Sequence, residues 1–134
     1  MNKVKKHNII LSIIIAIFII MAITLIINWS VIFQKGNPIP YLKSILQLNA
    51  NQTYIQVQDD NPIIFITKRD NYDELHKYIE DYYDVSFDEQ MGSGYIFSSD
   101  EKVITVTSEI YWKFYIAWTM RIKWREFKNK QSNK

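Results

Sequence analysis

The residues of this sequence best equipped for chemistry are its carboxylates: Asp59, Asp60, Asp70, Asp73, Glu74, Glu80, Asp81, Asp84, Asp88 and Glu89. Two carboxyl groups facing each other across a cleft, one protonated and one ionised, cleave glycosidic bonds. Spacing along the chain does not establish such a pair, and solvated surface charge is the plainer reading. No acid run alternates around a central glycine as a calcium loop requires. His76 is the one histidine outside the N-terminal flank. It has no second histidine or cysteine to complete a transition-metal set, and it is expected on the solvated side of a helix. Gly92-Ser93-Gly94 falls short of the G-x-S-x-G nucleophile elbow and of any phosphate loop, and reads as a positive-φ turn. These residues therefore yield no catalytic, cofactor-binding or metal-ligating assignment.

A second pattern concerns binding. Trp112, Lys113, Trp118, Arg121, Lys123, Trp124, Arg125 and Lys128 interleave aromatics with cations and form the candidate interaction surface. Such a mixture suits anionic lipid headgroups, an acidic wall polymer or a protein partner. The competing reading is a strand with its aromatics turned inward, followed by a basic tail. Acids dominate from Asp59 to Glu109, whereas Lys113 to Lys134 is basic apart from Glu126. Either the two regions neutralise each other, or each meets a partner of opposite sign. The acidic helix face of Asp73, Glu80 and Asp81 is the matching candidate contact.

There are no cysteines. Structural disulfides, cysteine-bound zinc, iron–sulfur clusters and thiol catalysis are excluded.

The element that must place these residues in a cell is the N-terminal one. Ile9 to Ile27 is apolar except for Ser12 and Thr24, and contains no charge, glycine or proline. At about 1.5 Å per residue it spans about 28 Å, close to the thickness of a bilayer's hydrocarbon. Asn28 and Trp29 mark an interface. Lys3, Lys5 and Lys6 precede the run, and only Lys35 and Lys43 follow it closely, so the N-terminus is expected inside and the remainder outside. A cleaved signal peptide is the main competitor. Its small-residue cleavage site has one imitation, Ala22-Ile23-Thr24, which lies inside the apolar block. A second span over 103–120 would need Glu109 and Lys113 in mid-membrane, at about 3 kcal/mol each. With the domain outside, nucleic acid is not an expected partner.

Beyond the anchor, Pro38 and Pro40 suit a helix entry, and Leu42, Ile45 and Leu46 give a short amphipathic helix ending near Asn49. Tyr54–Gln58 alternates as a strand does, and 63–67 is a continuous apolar strand. Asn71 and Glu74 have the spacing of a capping box. They open a helix to about Tyr83 with Tyr72, Leu75, Ile79 and Tyr82 on one face. Strands follow at Tyr95–Phe97 and Lys102–Thr107, with a third from Ile110 to Met120. The expected organisation is a cytoplasmic basic flank (1–8), a transmembrane signal anchor (9–29), and a juxtamembrane turn with a short helix (30–53). An extracytoplasmic domain (54–120) and a basic tail (121–134) complete it. The fold class is α+β: a transmembrane helix, then a small antiparallel sheet packed with one or two helices.

Gly36-Asn37-Pro38-Ile39-Pro40 and Gln90-Met91-Gly92-Ser93-Gly94-Tyr95-Ile96-Phe97, taken with the anchor, resemble short single-pass membrane-anchored proteins of unknown function from low-GC Gram-positive bacteria such as bacilli and clostridia. That resemblance implies a source and a cell-membrane location, and carries no activity. The expected function is a membrane-tethered interaction module without a cofactor, binding an envelope or membrane partner. The alternatives are a small envelope hydrolase using paired carboxylates and a regulator of another membrane protein.

Overall fold

The computed structural model describes residues 3–48 and 51–126. The chain divides into two compact units, Met1–Pro38 and Ile39–Lys134.

The first unit is built on helix α1 (Lys3–Ile27), followed by the single turn α2 (Trp29–Ile32). The Ser12 and Thr24 hydroxyls donate to the carbonyls of Asn8 and Ile20, each at 2.9 Å, so neither polar group breaks the apolar surface. From Val4 to Ile27 every side chain of α1 is exposed. This helix is long and apolar enough to cross a membrane or to serve as a signal sequence.

The second unit is α+β. Helix α3 (Ile39–Gln47) precedes strands β1 (Tyr54–Gln58) and β2 (Ile63–Lys68), and helix α4 (Asp73–Tyr83) follows them. Then come β3 (Ser86–Met91), β4 (Gly94–Ser98), β5 (Lys102–Tyr111) and β6 (Tyr115–Trp124). The six strands form one antiparallel sheet in the order β1-β2-β6-β5-β4-β3. After the β1–β2 hairpin, α4 carries the chain across one face to the far edge. Four strands then meander back until β6 pairs with β2. Gly92 enables the β3–β4 turn with a φ of 60°, a conformation that costs glycine nothing. Both edge strands carry a register shift, between Gln56 and Gln58 in β1 and between Phe87 and Glu89 in β3.

Alternation sorts the side chains onto two faces. Phe65, Phe97, Ile104, Val106, Trp118 and Met120 face α4 and bury Leu75 and Ile79. On the opposite face Ile66, Ala117 and Tyr111 pack with Tyr41 and Leu48, so α3 covers β1 and β2. Over β5 that second face stays open, with Thr105 and Thr107 exposed.

Four expectations need correction. The strand expected from Ile110 to Met120 is the end of β5, a turn over 112–114, and most of β6. Because β6 continues to Trp124, residues 121–124 belong to the sheet rather than to a tail. The capping box is not made: Tyr72 occupies the N-cap without a side-chain bond, and the Asn71 backbone N–H donates to the Lys68 carbonyl at 3.3 Å. Glu74 instead accepts a 2.6 Å hydrogen bond from Thr53 Oγ1. Finally, Tyr82 points outward, while His76 and Tyr83 turn toward the sheet. The segment 103–120 is strand and turn, not a membrane helix.

Trp118 sits at the centre of the core. It pairs in register with Phe65, lies within 5.3 Å of the rings of Tyr72, His76 and Tyr95, and donates its indole N–H to Thr67 Oγ1 at 2.9 Å. Trp118→Ala should therefore destabilise the domain by about 3–5 kcal/mol. Trp124→Ala, at an exposed site, should stay within about 0.5 kcal/mol. Urea unfolding of the full chain in detergent, followed by tryptophan fluorescence, separates the two.

Candidate functional site

The eight residues of the expected interaction surface do not form one patch. Trp118 is fully buried and contributes nothing to a surface. Lys128 lies outside the described residues. Trp112 and Lys113 belong to the β5–β6 turn, whereas Arg121, Lys123, Trp124 and Arg125 lie at the other end of β6. Six to nine strand steps at about 3.3 Å each put about 20–30 Å between the two groups.

The distal group has a shape. Arg121 and Lys123 project from the open sheet face, paired in register with Thr105 and Val103. Trp124, on the opposite side of the strand, is 63% exposed and carries the Lys102 ammonium 5.1 Å from its ring centre. The Arg125 amide donates to the Glu101 carbonyl at 2.8 Å, which ties the strand end to the preceding turn. Val103, Lys123, Trp124, Arg125 and Glu126 line an open groove of about 620 Å³. A cation held over an indole beside a basic strand is an arrangement that receives anions.

Several of the acids hold structural hydrogen bonds. Glu80 accepts the Phe87 amide at 2.9 Å, and Asp88 accepts the Ser98 hydroxyl, so both fasten β3 to its neighbours. Asp73 and Glu74 lie in the first turn of α4, where negative charge suits the helix dipole. Among the described residues no three His, Asp or Glu converge to hold a metal.

Two features escaped sequence reasoning. Tyr54, Tyr78 and Tyr82 form a run of rings spaced 5.3 and 5.1 Å apart. With Glu74, Lys77 and Asp81 they line a shallow groove of about 600 Å³. The four-residue step from Tyr78 to Tyr82 was visible in the sequence, but the third ring comes from β1. The other feature is His76, which is only partly exposed. Its ring packs against Tyr72, Tyr95, Phe97 and Trp118, and its Nε2 is buried without a hydrogen-bond partner. Its place four residues after Tyr72, on the inner stripe of α4, was the available signal.

Compared with family models, curated proteins and solved structures, the chain matches none.

Burial holds the His76 pKa below its ordinary 6.5, against the opposing pull of Asp73 and Glu80. Between the folded and unfolded values the unfolded chain binds the extra proton, so the domain loses stability as pH falls through 6.5. Above that value the contribution of the neutral ring is fully present. Thermal unfolding between about pH 7 and pH 5 should show this loss, and His76→Phe should flatten it.

Proposed function

We propose that this chain is a single-pass, membrane-tethered interaction module, with its N-terminus in the cytoplasm and its α+β domain outside the cell membrane. The short anchored proteins of low-GC Gram-positive bacteria remain the resemblance that suggests its source. The observation that carries the reading is the stretch of α1 from Ile9 to Ile27: an uncharged apolar run whose side chains are all exposed, and which hydrocarbon would cover. The nineteen uncharged residues from Ile9 to Ile27 extend about 28 Å as a helix, enough to span the hydrocarbon. The lysines at its start favour a cytoplasmic N-terminus. Ala22-Ile23-Thr24 lies within the helix, which supports an uncleaved anchor.

The contact surface is the distal end of β6, where Arg121, Lys123 and Arg125 stand near the Lys102–Trp124 pair. Its partner is an anionic envelope component, a wall polymer or an acidic membrane protein, which tethering keeps at high effective concentration.

The full chain should remain with membranes after carbonate washing, and reporters fused at Asn51 and after Lys134 should both report the outer side. Release by carbonate, or trimming beyond Thr24, overturns the anchor. Replacing both Lys123 and Arg125 by Gln removes two cations worth about 1 kcal/mol each near an anionic surface. Retention on acidic wall polymer should then weaken roughly thirty-fold at low salt.

A further inference from the structure

Helix α3 is apolar on two sides. Tyr41 and Ser44 face the sheet and are buried, as is Leu48 just beyond the helix. On the outward side Ile39, Leu42 and Leu46 recur at i, i+3 and i+7 and so share a stripe. Ile39 is 68% and Leu46 is 85% exposed. An isolated exposed leucine is ordinary, but a stripe of three on a nine-residue helix is not.

A second apolar projection lies at the β5–β6 turn. Phe114 is 66% exposed. Trp112 and Lys113 take φ values of 48° and 64°, the left-handed region that glycine or asparagine normally fills in a tight turn. The turn therefore keeps two large side chains where its backbone favours a small one. The Phe114 amide donates to the Trp112 carbonyl at 2.7 Å, and the Arg69 amide to the Phe114 carbonyl at 3.0 Å. These bonds fix the tip beside the Lys68–Arg69 corner.

The two projections are joined by rings. Tyr41 of α3 lies 4.9 Å from Tyr111, and Tyr111 stacks on Trp112 at 5.5 Å with an interplanar angle of 11°. Cations border both: Lys43 on α3, and Lys68, Arg69 and Lys113 at the tip, with the Lys113 ammonium 5.8 Å from the Phe114 ring. The acids nearby are Asp70 and Glu109. Exposed aliphatic and aromatic groups edged by lysine and arginine match the chemistry of the headgroup region of an anionic bilayer.

We propose that the outer stripe of α3 and the β5–β6 tip form one membrane-contact surface, seated among the headgroups of an anionic leaflet. This rests on the tethered reading above, because the anchor keeps the domain beside a bilayer. A contact of this kind orients the domain and leaves the distal end of β6 for its partner.

The absence of cysteine makes a clean test possible. Leu46→Cys, Phe114→Cys and, as a control on the open sheet face, Thr107→Cys are labelled with an environment-sensitive fluorophore in the full chain. Each is placed singly in nanodiscs of phosphatidylglycerol with phosphatidylcholine, or of phosphatidylcholine alone. Labels at 46 and 114 should shift to the blue and be quenched by lipids bearing a headgroup-level nitroxide, more strongly in the anionic discs. The label at 107 should emit as in water. If labels at 46 and 114 behave like the control while the chain stays in the discs, this inference falls and the tether stands. If the chain does not stay in the discs, the tether falls with it. A blue shift seen only when several copies share a disc assigns the surface to self-association and overturns the lipid contact.

Discussion

The antiparallel pairing of β2 with β6 holds together two stretches of chain that are otherwise independent. The β1–β2 hairpin and the β3-to-β6 meander are each local, formed by neighbours in sequence. Only the register from Ile63 opposite Met120 to Lys68 opposite Tyr115 makes them one sheet. That register places Phe65 against Trp118 on the α4 face and Ile66 against Ala117 on the α3 face, so both cores depend on it. A slip of one residue would turn Trp118 toward α3 and strand its indole N–H away from Thr67. Closing so long a loop is entropically expensive, and the burial of Phe65, Trp118 and Met120 offsets it.

The apolar helix and the α+β domain are separate units. The helix is long and apolar enough to cross a membrane or to serve as a signal sequence. The domain, about the size that a single core can stabilise, then offers an aromatic–basic strand end, a tyrosine groove and an apolar projection at separate places. Three of its carboxylates act as fasteners: Glu74 for Thr53, Glu80 for the Phe87 amide and Asp88 for Ser98.

Much of the architecture was readable because its periods are plain: the unbroken apolar run of α1, the alternation of β1, and the stripe along α4. The misreadings have physical causes. In β6 the even positions Ile116, Trp118, Met120 and Ile122 are apolar while Arg121 and Lys123 are odd. The period-2 pattern thus separated Trp118 from the cations, but grouping residues by type merged them. The turn over 112–114 was hidden because left-handed residues usually announce themselves as glycine or asparagine, and here they are Trp112 and Lys113. The tyrosine groove and the burial of His76 arise from packing between α4 and strands distant in sequence, which no local pattern encodes.

The irregular edges of the sheet bear on the proposed tethering. Chains confined to a membrane plane meet side by side far more often than the same number free in solution, and a sheet's outer strands are where such meetings turn into ribbons. Here the bulge at Gln56–Gln58 interrupts one border, and the bulge at Phe87–Glu89, beside Asp88 and Glu89, interrupts and charges the other. Neither border offers a neighbouring copy a long, even row of amides and carbonyls to zip onto. For a chain tethered as proposed, such interrupted borders disfavour edge-to-edge pairing between neighbouring copies.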